Sequence, residues 1–191
     1  MNQEKAFIQA LKNREEEAFN QLIAMYQPLI TRVIFKIVSD RDETQDLVQE
    51  VFIQVWESIQ SFKEESSIKT WIYRLGINKA LNYLKKKEIR MAISFHTWFS
   101  EKKSTEGLLS SNESAISDIF RNEDQNAIST ALKLLPAQQR AAFVLSKQEG
   151  LSNPEIATVL NTSISAVESL VFRAKQRLVK ELLPYYQNKI S

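Results

Sequence analysis

The chain has 191 residues, of which 43% are hydrophobic and 25% are charged, a composition typical of a soluble protein that buries a core. With no cysteine and one histidine, it has no means of forming disulfides, thiolate zinc sites, cysteine nucleophiles or multi-histidine metal sites. Three glycines and four prolines are too few for a turn-rich sheet fold or a glycine-rich phosphate loop.

Charge is distributed in two adjacent blocks of opposite sign. Residues 40–65 contain eight acidic and two basic residues, a net charge of −6, whereas residues 66–90 contain seven basic residues and one acidic residue, a net charge of +6. Such blocks indicate either two surfaces for two partners, one of them a polyanion, or two solvated helix faces that partly neutralise each other. Charge alone leaves both interpretations open.

The N-terminal segment is charged and amphipathic, unlike a signal peptide. No apolar run approaches the roughly 20 residues that span a bilayer. Together with the missing cysteines, these features predict a cytoplasmic protein that does not insert into a membrane.

The first 95 residues are predicted to form helices. Apolar residues at helical spacing run through 15–38, and Pro28 is expected to kink or break that helix. Asp42 and Gln45 resemble a capping box that begins the next helix, in which Ile53 is an apolar residue among polar ones. A polar loop and a further helix over about 68–87 follow.

The segment 96–126 is predicted to be a flexible linker, because it is rich in Ser, Asn, Glu and Asp and lacks a sustained period. The expected fold is therefore all-α, with two small helical domains, 1–95 and 127–191. In the second domain, Pro136 is expected to open a helix, and two short helices follow. The linker also contains apolar residues that are either satellites of a core or ligands of a partner's channel: Trp98, Phe99, Leu108, Leu109 and Phe120.

The C-terminal segment has helix-turn-helix spacing. Ser152 and Glu155 form a capping box, Asn161 stands where the chain must turn, and Ser163 or Ser165 can cap the following helix. That helix carries, off its packing stripe, side chains able to hydrogen-bond base edges or neutralise phosphates: Ser165, Glu168, Ser169, Phe172, Arg173, Lys175 and Gln176. The pattern predicts duplex DNA binding, with an ordinary helical hairpin as the alternative.

A second candidate DNA surface follows the polar loop. Trp71 stands near Arg74, and Asn78 and Asn82 follow at intervals of about one helical turn. Aromatic planes stack on unpaired bases at about 1–3 kcal/mol each, while cations follow the backbone. The segment therefore predicts contact with single-stranded nucleic acid, although Trp71 taken alone is more typical of a core residue.

Three segments together resemble the extracytoplasmic-function (ECF) sigma factors of bacterial RNA polymerase. DETQDLVQEVFIQVW is similar to the acidic helix of that family, and SFKEESSIKTWIYRLGINKALNYL is similar to its aromatic-basic segment. The C-terminal stretch LLPAQQRAAFVLSKQEGLSNPEIATVLNTSISAVESLVFRAKQRL is similar to its helix-turn-helix domain. The resemblance implies a region 2-like domain at 1–95 and a region 4-like domain at 127–191.

The resemblance also implies the role of each segment. The acidic helix would bind the core polymerase through Asp46, Gln49, Glu50, Phe52, Ile53 and Trp56. The loop at 62–70 would capture a base flipped out of the −10 promoter element, and the next helix would line the melted strand, through Phe62, Lys63, Ser67, Lys69, Trp71, Arg74, Asn78 and Asn82. The helix that contains Arg173 would enter the major groove at the −35 element.

The expected protein is thus a non-enzymatic initiation subunit that uses no cofactor or metal. Its expected partners are core RNA polymerase, promoter DNA and an anti-sigma factor, and the free chain is expected to be monomeric. The sequence departs from the common family pattern at four positions. Glu168 and Leu170 make the recognition helix less basic, and Asn161 and Glu64 stand where the family commonly has glycine.

Two other functions fit parts of the sequence. A helix-turn-helix regulator with ligand-binding or dimerising N-terminal helices would bind DNA without polymerase, but it leaves the acidic helix unexplained. An enzyme that uses Asp46 and Glu50 as paired carboxylates would need a second metal-ligand motif, which the sequence does not supply.

Overall fold

The computed structural model describes the backbone of residues 2–100 and 119–190, and the side chains of residues 3–93 and 123–187 together with Lys189. Within these ranges there are eight α-helices, a 3₁₀ turn at Ile59–Ser61 and no strand, which confirms the all-α prediction. The helices are α1 (Asn2–Lys12), α2 (Glu16–Val38), α3 (Arg41–Ser58), α4 (Ile68–Ser100), α5 (Ile119–Lys133), α6 (Ala137–Lys147), α7 (Asn153–Leu160) and α8 (Ile164–Ile190).

Helices α1 to α4 form the first domain, in which α2, α3 and α4 pack against one another. Their apolar stripes meet in a core that includes the fully buried Leu22, Ile34, Val51 and Ile72. Gly76 lies where α4 crosses α2, and a Cβ built on it would lie 3.4 Å from Cγ2 of Ile30.

Two local predictions in this domain need correction. Of the two outcomes expected at Pro28, a break does not occur, because Pro28 lies on the exposed side of α2, where water can satisfy the carbonyl oxygen that a proline leaves without a donor. Helix α3 is not capped by Asp42 and Gln45. Asp40 has the extended backbone of a cap residue, and its carboxylate accepts from the backbone N–H of Glu43 at 3.3 Å.

The long helices reach beyond the bounds expected from the sequence. Helix α4 continues to Ser100 and α5 begins at Ile119, so both extend into the segment 96–126 that is predicted to be a linker. No glycine or proline interrupts residues 77–100, and nothing in that stretch therefore forces α4 to end at Lys87. Of the two short helices expected at the C-terminus, α7 is short with 8 residues, whereas α8 has 27 residues, so the prediction of a second short helix is wrong.

Helices α5 to α8 form the second domain, which contacts the first. Helix α6 packs on α2 and α4, and α7 packs on α4. A single cluster of buried apolar side chains continues from the first domain into Leu145 and Ile156 of the second. The buried Arg140 donates to the carbonyl oxygens of Ile37, Lys133 and Leu135 at 2.6, 2.6 and 3.0 Å, so one guanidinium joins the ends of helices from both domains.

The crossing of α4 over α2 predicts opposite effects for two substitutions at Gly76. Gly76→Ala should raise the free energy of unfolding by about 0.5–1 kcal/mol, because alanine favours a helix interior and its methyl group fits against Ile30. Gly76→Leu should lower it by about 1–3 kcal/mol through overpacking. Urea unfolding followed by circular dichroism measures both, and equal losses of stability would show that the helices cross more tightly than described.

Candidate nucleic-acid interfaces and docking groove

An open apolar groove of about 680 Å³ lies between α2 and α3. Trp56 packs edge-on against Phe19 with ring centroids 4.8 Å apart, and Ile53 on the rim is 58% exposed. The groove is lined by Phe19, Ile23, Val48, Phe52, Ile53 and Trp56, with Glu16, Gln27, Gln49 and Glu57 among them. An apolar groove with acidic borders has the chemistry that accepts an amphipathic helix with basic flanks.

The six predicted docking residues occupy different depths at this groove and its helix. Asp46, Gln49 and Glu50 are exposed on α3, and Lys79 of α4 donates to Glu50 at 2.9 Å. Trp56 is half-buried. Phe52 is buried and lines the groove from within, so it supplies apolar surface to the groove and has little contact with solvent.

The loop before α4 is held by contacts at both of its ends. Lys12 of α1 donates to Glu64 at 2.7 Å, and Glu64 has a left-handed backbone with φ of 60°. Ser67 caps α4, because its hydroxyl oxygen accepts from the backbone N–H of Thr70 at 3.1 Å. Glu64 therefore adopts a backbone conformation that favours glycine, the residue that the sequence resemblance leads us to expect at this position.

Two aromatic residues predicted to contact DNA are buried in this structure. Phe62 and Trp71 pack against each other with centroids 5.0 Å apart, and Trp71 is only 8% exposed. They fix the loop to the helix, and their rings present little surface on which a base could stack. The physical reason is that a short polar loop has few other apolar groups with which to anchor itself.

The exposed part of the α4 candidate surface is polar. Arg74, Asn78 and Asn82 are exposed at intervals of four residues, which places them along one helix face. Lys63 in the loop is also exposed, whereas Lys69 is half-buried with its ammonium group 5.7 Å from the ring centroid of Tyr73. This face offers amide and cationic groups to a nucleic-acid backbone or to base edges.

The turn before α8 has the predicted helix-turn-helix geometry. Ser152 donates to the Glu155 carboxylate from its backbone N–H at 2.8 Å and from its hydroxyl at 2.6 Å, which confirms the capping box and holds the pKa of Glu155 below its ordinary value. Asn161 has φ of 50° and ψ of 55°, the left-handed turn expected there. Ser163 caps α8 by accepting from the backbone N–H of Ala166 at 3.2 Å.

Helix α8 separates packing side chains from solvent-facing ones. Val167, Ala174 and Leu178 are buried, whereas all seven residues predicted for duplex contact are exposed. Phe172 is 61% exposed, so most of its ring surface is accessible to a ligand. Glu168 accepts from the side chain of Asn153 on α7 at 3.5 Å, so its carboxylate is partly engaged within the motif.

A carboxylate at the contact between the two domains was not identified from the sequence. Glu149 follows α6, and its side chain is 3% exposed. Nε and Nη2 of Arg32 each donate to this carboxylate at 3.1 Å, and the hydroxyl of Tyr73 donates at 2.6 Å. Burial raises the pKa of Glu149, but these hydrogen bonds outweigh burial and lower it overall. No sequence pattern signals this cluster, because its members lie 76 and 117 positions from Glu149.

In the part of the chain that the structure describes, no group of three or more His, Asp or Glu residues is placed to hold a metal ion. Nor is any helix in that part long and apolar enough to cross a membrane. The predicted apolar ligands of a partner's channel, Trp98, Phe99, Leu108, Leu109 and Phe120, lie outside the described side chains.

Comparison with known proteins gives family matches in two separate parts of the chain. Residues 22–89 match the family described as Sigma-70 region 2, and residues 125–178 match Sigma-70, region 4. The RNA polymerase sigma-H factor of Pseudomonas aeruginosa is 32% identical over 184 residues, covering 95% of both chains. The ECF RNA polymerase sigma-E factor of Escherichia coli K12 is 27% identical over 95% of both chains.

Two solved structures share the fold. CnrH in complex with the cytosolic domain of CnrY has a TM-score of 0.66 at 20% identity, covering 94% of this chain and 96% of the other. The sigma factor RpoE of Bartonella quintana, solved with the anti-sigma factor NepR, has a TM-score of 0.63 at 22% identity, covering 86% and 96%.

The left-handed turn at Asn161 predicts a stability order for that position. Asn161→Ala should lower the free energy of unfolding by about 1 kcal/mol. Alanine lacks the short polar side chain that makes the left-handed backbone region accessible to asparagine. Asn161→Gly should preserve or raise it. Thermal unfolding of the full chain measures the order, and an alanine variant as stable as the glycine variant would contradict it.

Proposed function

The chain belongs to the ECF group of sigma-70 factors, the subunits that direct RNA polymerase to promoters, and we propose that three separate surfaces carry its three tasks. These tasks are core binding, contact with the −10 element and contact with the −35 element. The observation that carries this proposal is that most polar residues of the three surfaces are exposed, on α3, on α4 with the loop before it, and on α8. The surfaces do not overlap, so each ligand has a site of its own.

The groove between α2 and α3 is the proposed site for the core enzyme. Its apolar floor would bury the apolar face of a helix of the polymerase, while Asp46 and Gln49 would meet basic and polar groups beside it. Exposed Ile53 adds apolar area at the rim. Charge complementarity at such a rim sets the rate and the specificity of association.

The loop before α4 and the exposed face of that helix are proposed to bind the melted −10 strand. Arg74, Asn78 and Asn82 would contact its backbone and base edges, with Lys63, Ser67 and Lys69 near the start of the helix. Phe62 and Trp71 support this surface from beneath. Capture of a flipped base costs a few kcal/mol of unstacking, which these contacts must repay.

Helix α8 is proposed to enter the major groove at the −35 element. Arg173 and Gln176 offer donors to base edges, Lys175 neutralises a phosphate, and Phe172 offers an apolar contact to a thymine methyl group. Glu168 is compatible with DNA where it accepts from a cytosine amino group.

The free chain is proposed to bind promoters weakly. A net charge of +2 gives little non-specific attraction to DNA, and the two DNA-binding domains gain affinity only when the polymerase fixes their separation. In this role the chain acts in the cytoplasm, makes and breaks no bond itself, and needs no cofactor. We also propose an anti-sigma partner, since a related fold is known in complex with one.

Docking through the acidic rim predicts that Asp46→Arg loses core polymerase, because a cation replaces the anion facing a basic partner. Affinity should fall by at least about tenfold, as expected for like charges across an interface. Glu88→Arg, which makes the same change of charge at an exposed position of α4, is the matched control and should bind normally. Co-elution with bacterial core RNA polymerase from a sizing column measures both. Normal binding by Asp46→Arg would exclude the proposed docking face.

Base contact by α8 predicts that Arg173→Ala weakens promoter binding by about 1–3 kcal/mol and leaves core binding unchanged. Lys147→Ala, an exposed cation at the end of α6, serves as the control. Gel-shift titration of the reconstituted holoenzyme on a promoter selected from random DNA measures the promoter affinity of each variant. Equal losses in the two variants would mean that α8 contributes charge without base recognition.

A further inference from the structure

The contact between the two domains is built around Glu149. Its carboxylate comes from the second domain, whereas Arg32 and Tyr73, its donors, come from α2 and α4 of the first. The amide of the neighbouring Gln148 accepts from Lys36 of the first domain. A carboxylate that is 3% exposed is costly without partners, and here both of its oxygens accept hydrogen bonds.

The same contact has an apolar part. Helix α7 packs on α4, and buried side chains of both domains belong to one cluster. Arg140, on α6, reaches the Ile37 carbonyl at the end of α2. The contact thus combines an apolar centre, the buried Arg140 guanidinium and the buried Glu149 carboxylate paired with the half-exposed Arg32, and an apolar centre with polar groups around it is typical of specific protein interfaces.

This arrangement is incompatible with simultaneous contact to both promoter elements. The −10 and −35 elements are centred about 25 base pairs apart, which is about 85 Å of B-DNA at about 3.4 Å per base pair. Compact domains of about 95 and about 65 residues have radii of gyration of about 12 and about 11 Å, so even the far sides of the two touching domains lie within about 60 Å of each other. The domains must therefore separate before both elements are bound.

We propose that the face of the first domain formed by Arg32, Lys36 and Tyr73 is an interaction surface for the second domain of the same chain, closed by Glu149. The consequence of this inference is that the closed chain is inactive at promoters, and that consequence rests on the proposed function. The docking groove and the exposed face of α8 remain open in the closed chain. The core enzyme can therefore bind first and draw the domains apart, at the expense of part of its binding free energy.

The test measures domain separation in the full, polymerase-free chain. Because the chain has no cysteine, Gln60→Cys and Lys180→Cys, one exposed position in each domain, provide two unique sites for a donor and an acceptor dye. The parent chain should show one high-transfer population. Glu149→Ala should shift the population toward low transfer by about tenfold or more, because it removes the hydrogen bonds from Arg32 and Tyr73 to a charged acceptor.

Four further variants distinguish loss of the Glu149 contact from general loss of structure. Glu181→Ala removes the same charge from an exposed position of the second domain and should leave transfer high. Tyr73→Phe removes one hydroxyl and should give a partial shift. Arg32→Glu should open the chain, and adding Glu149→Arg should restore transfer in part. Circular dichroism checks that each variant is folded.

Titration with core polymerase tests whether the closed form weakens binding to the core enzyme. Glu149→Ala should bind the core several-fold more tightly than Glu181→Ala, since no closed population has to be opened first. Equal transfer in Glu149→Ala and the parent would overturn the interaction surface. An opened variant with unchanged core affinity would overturn the inhibitory role. If neither variant binds the core while Glu149→Ala still shows the shift to low transfer, the proposed function is contradicted, whereas the interaction surface between the domains is still supported.

Discussion

The packing of α4 is the contact on which the other features of the structure depend. This helix contacts α2 and α3 within the first domain and α6 and α7 of the second. Gly76 lies where it crosses α2, and Phe62 against Trp71 fixes the loop at its start. Because one helix touches both domains, its position determines the candidate strand-binding surface and the domain contact together.

The two sides of α4 meet different physical requirements. Trp71 and Tyr73 face inward, where burial of aromatic area contributes most to stability, whereas Arg74 and the asparagines that follow it face water. The hydroxyl of Tyr73 would be costly to bury alone, and its hydrogen bond to Glu149 offsets that cost. Burial and this bond to a carboxylate raise the pKa of Tyr73, so the phenol remains a donor.

The ion pair at the domain contact favours a contact that can be opened. A buried carboxylate with two donors gives specificity of position, but its desolvation cost limits the net stability gained when the domains close. Water replaces the lost hydrogen bonds when the domains part, so the closed and open forms can lie near each other in free energy. The proposed docking groove and α8 lie outside this contact, which separates recognition of partners from closure.

The sequence by itself determined the features that depend on neighbouring residues. Helical periodicity gave the all-α class and the two domains, and the Ser152 and Glu155 pair and the turn at Asn161 were local enough to be predicted correctly. Ile53 and the polar face of α8 were also visible as departures from a packing stripe. The cap of α3 was missed, although it is local, because Asp40 and Asp42 are both suitable cap residues and only the backbone distinguishes them.

Only the tertiary structure decided which aromatic residues are buried and how the domains meet. Trp71 and Phe62 have the composition of a base-stacking surface, and their burial follows from packing between a loop and a helix. Glu149 meets Arg32 and Tyr73 across separations of 117 and 76 residues, for which no periodicity or motif exists. Local patterns specify helices and turns because their energies depend on near neighbours, whereas a buried charge is defined by whatever the fold brings to it.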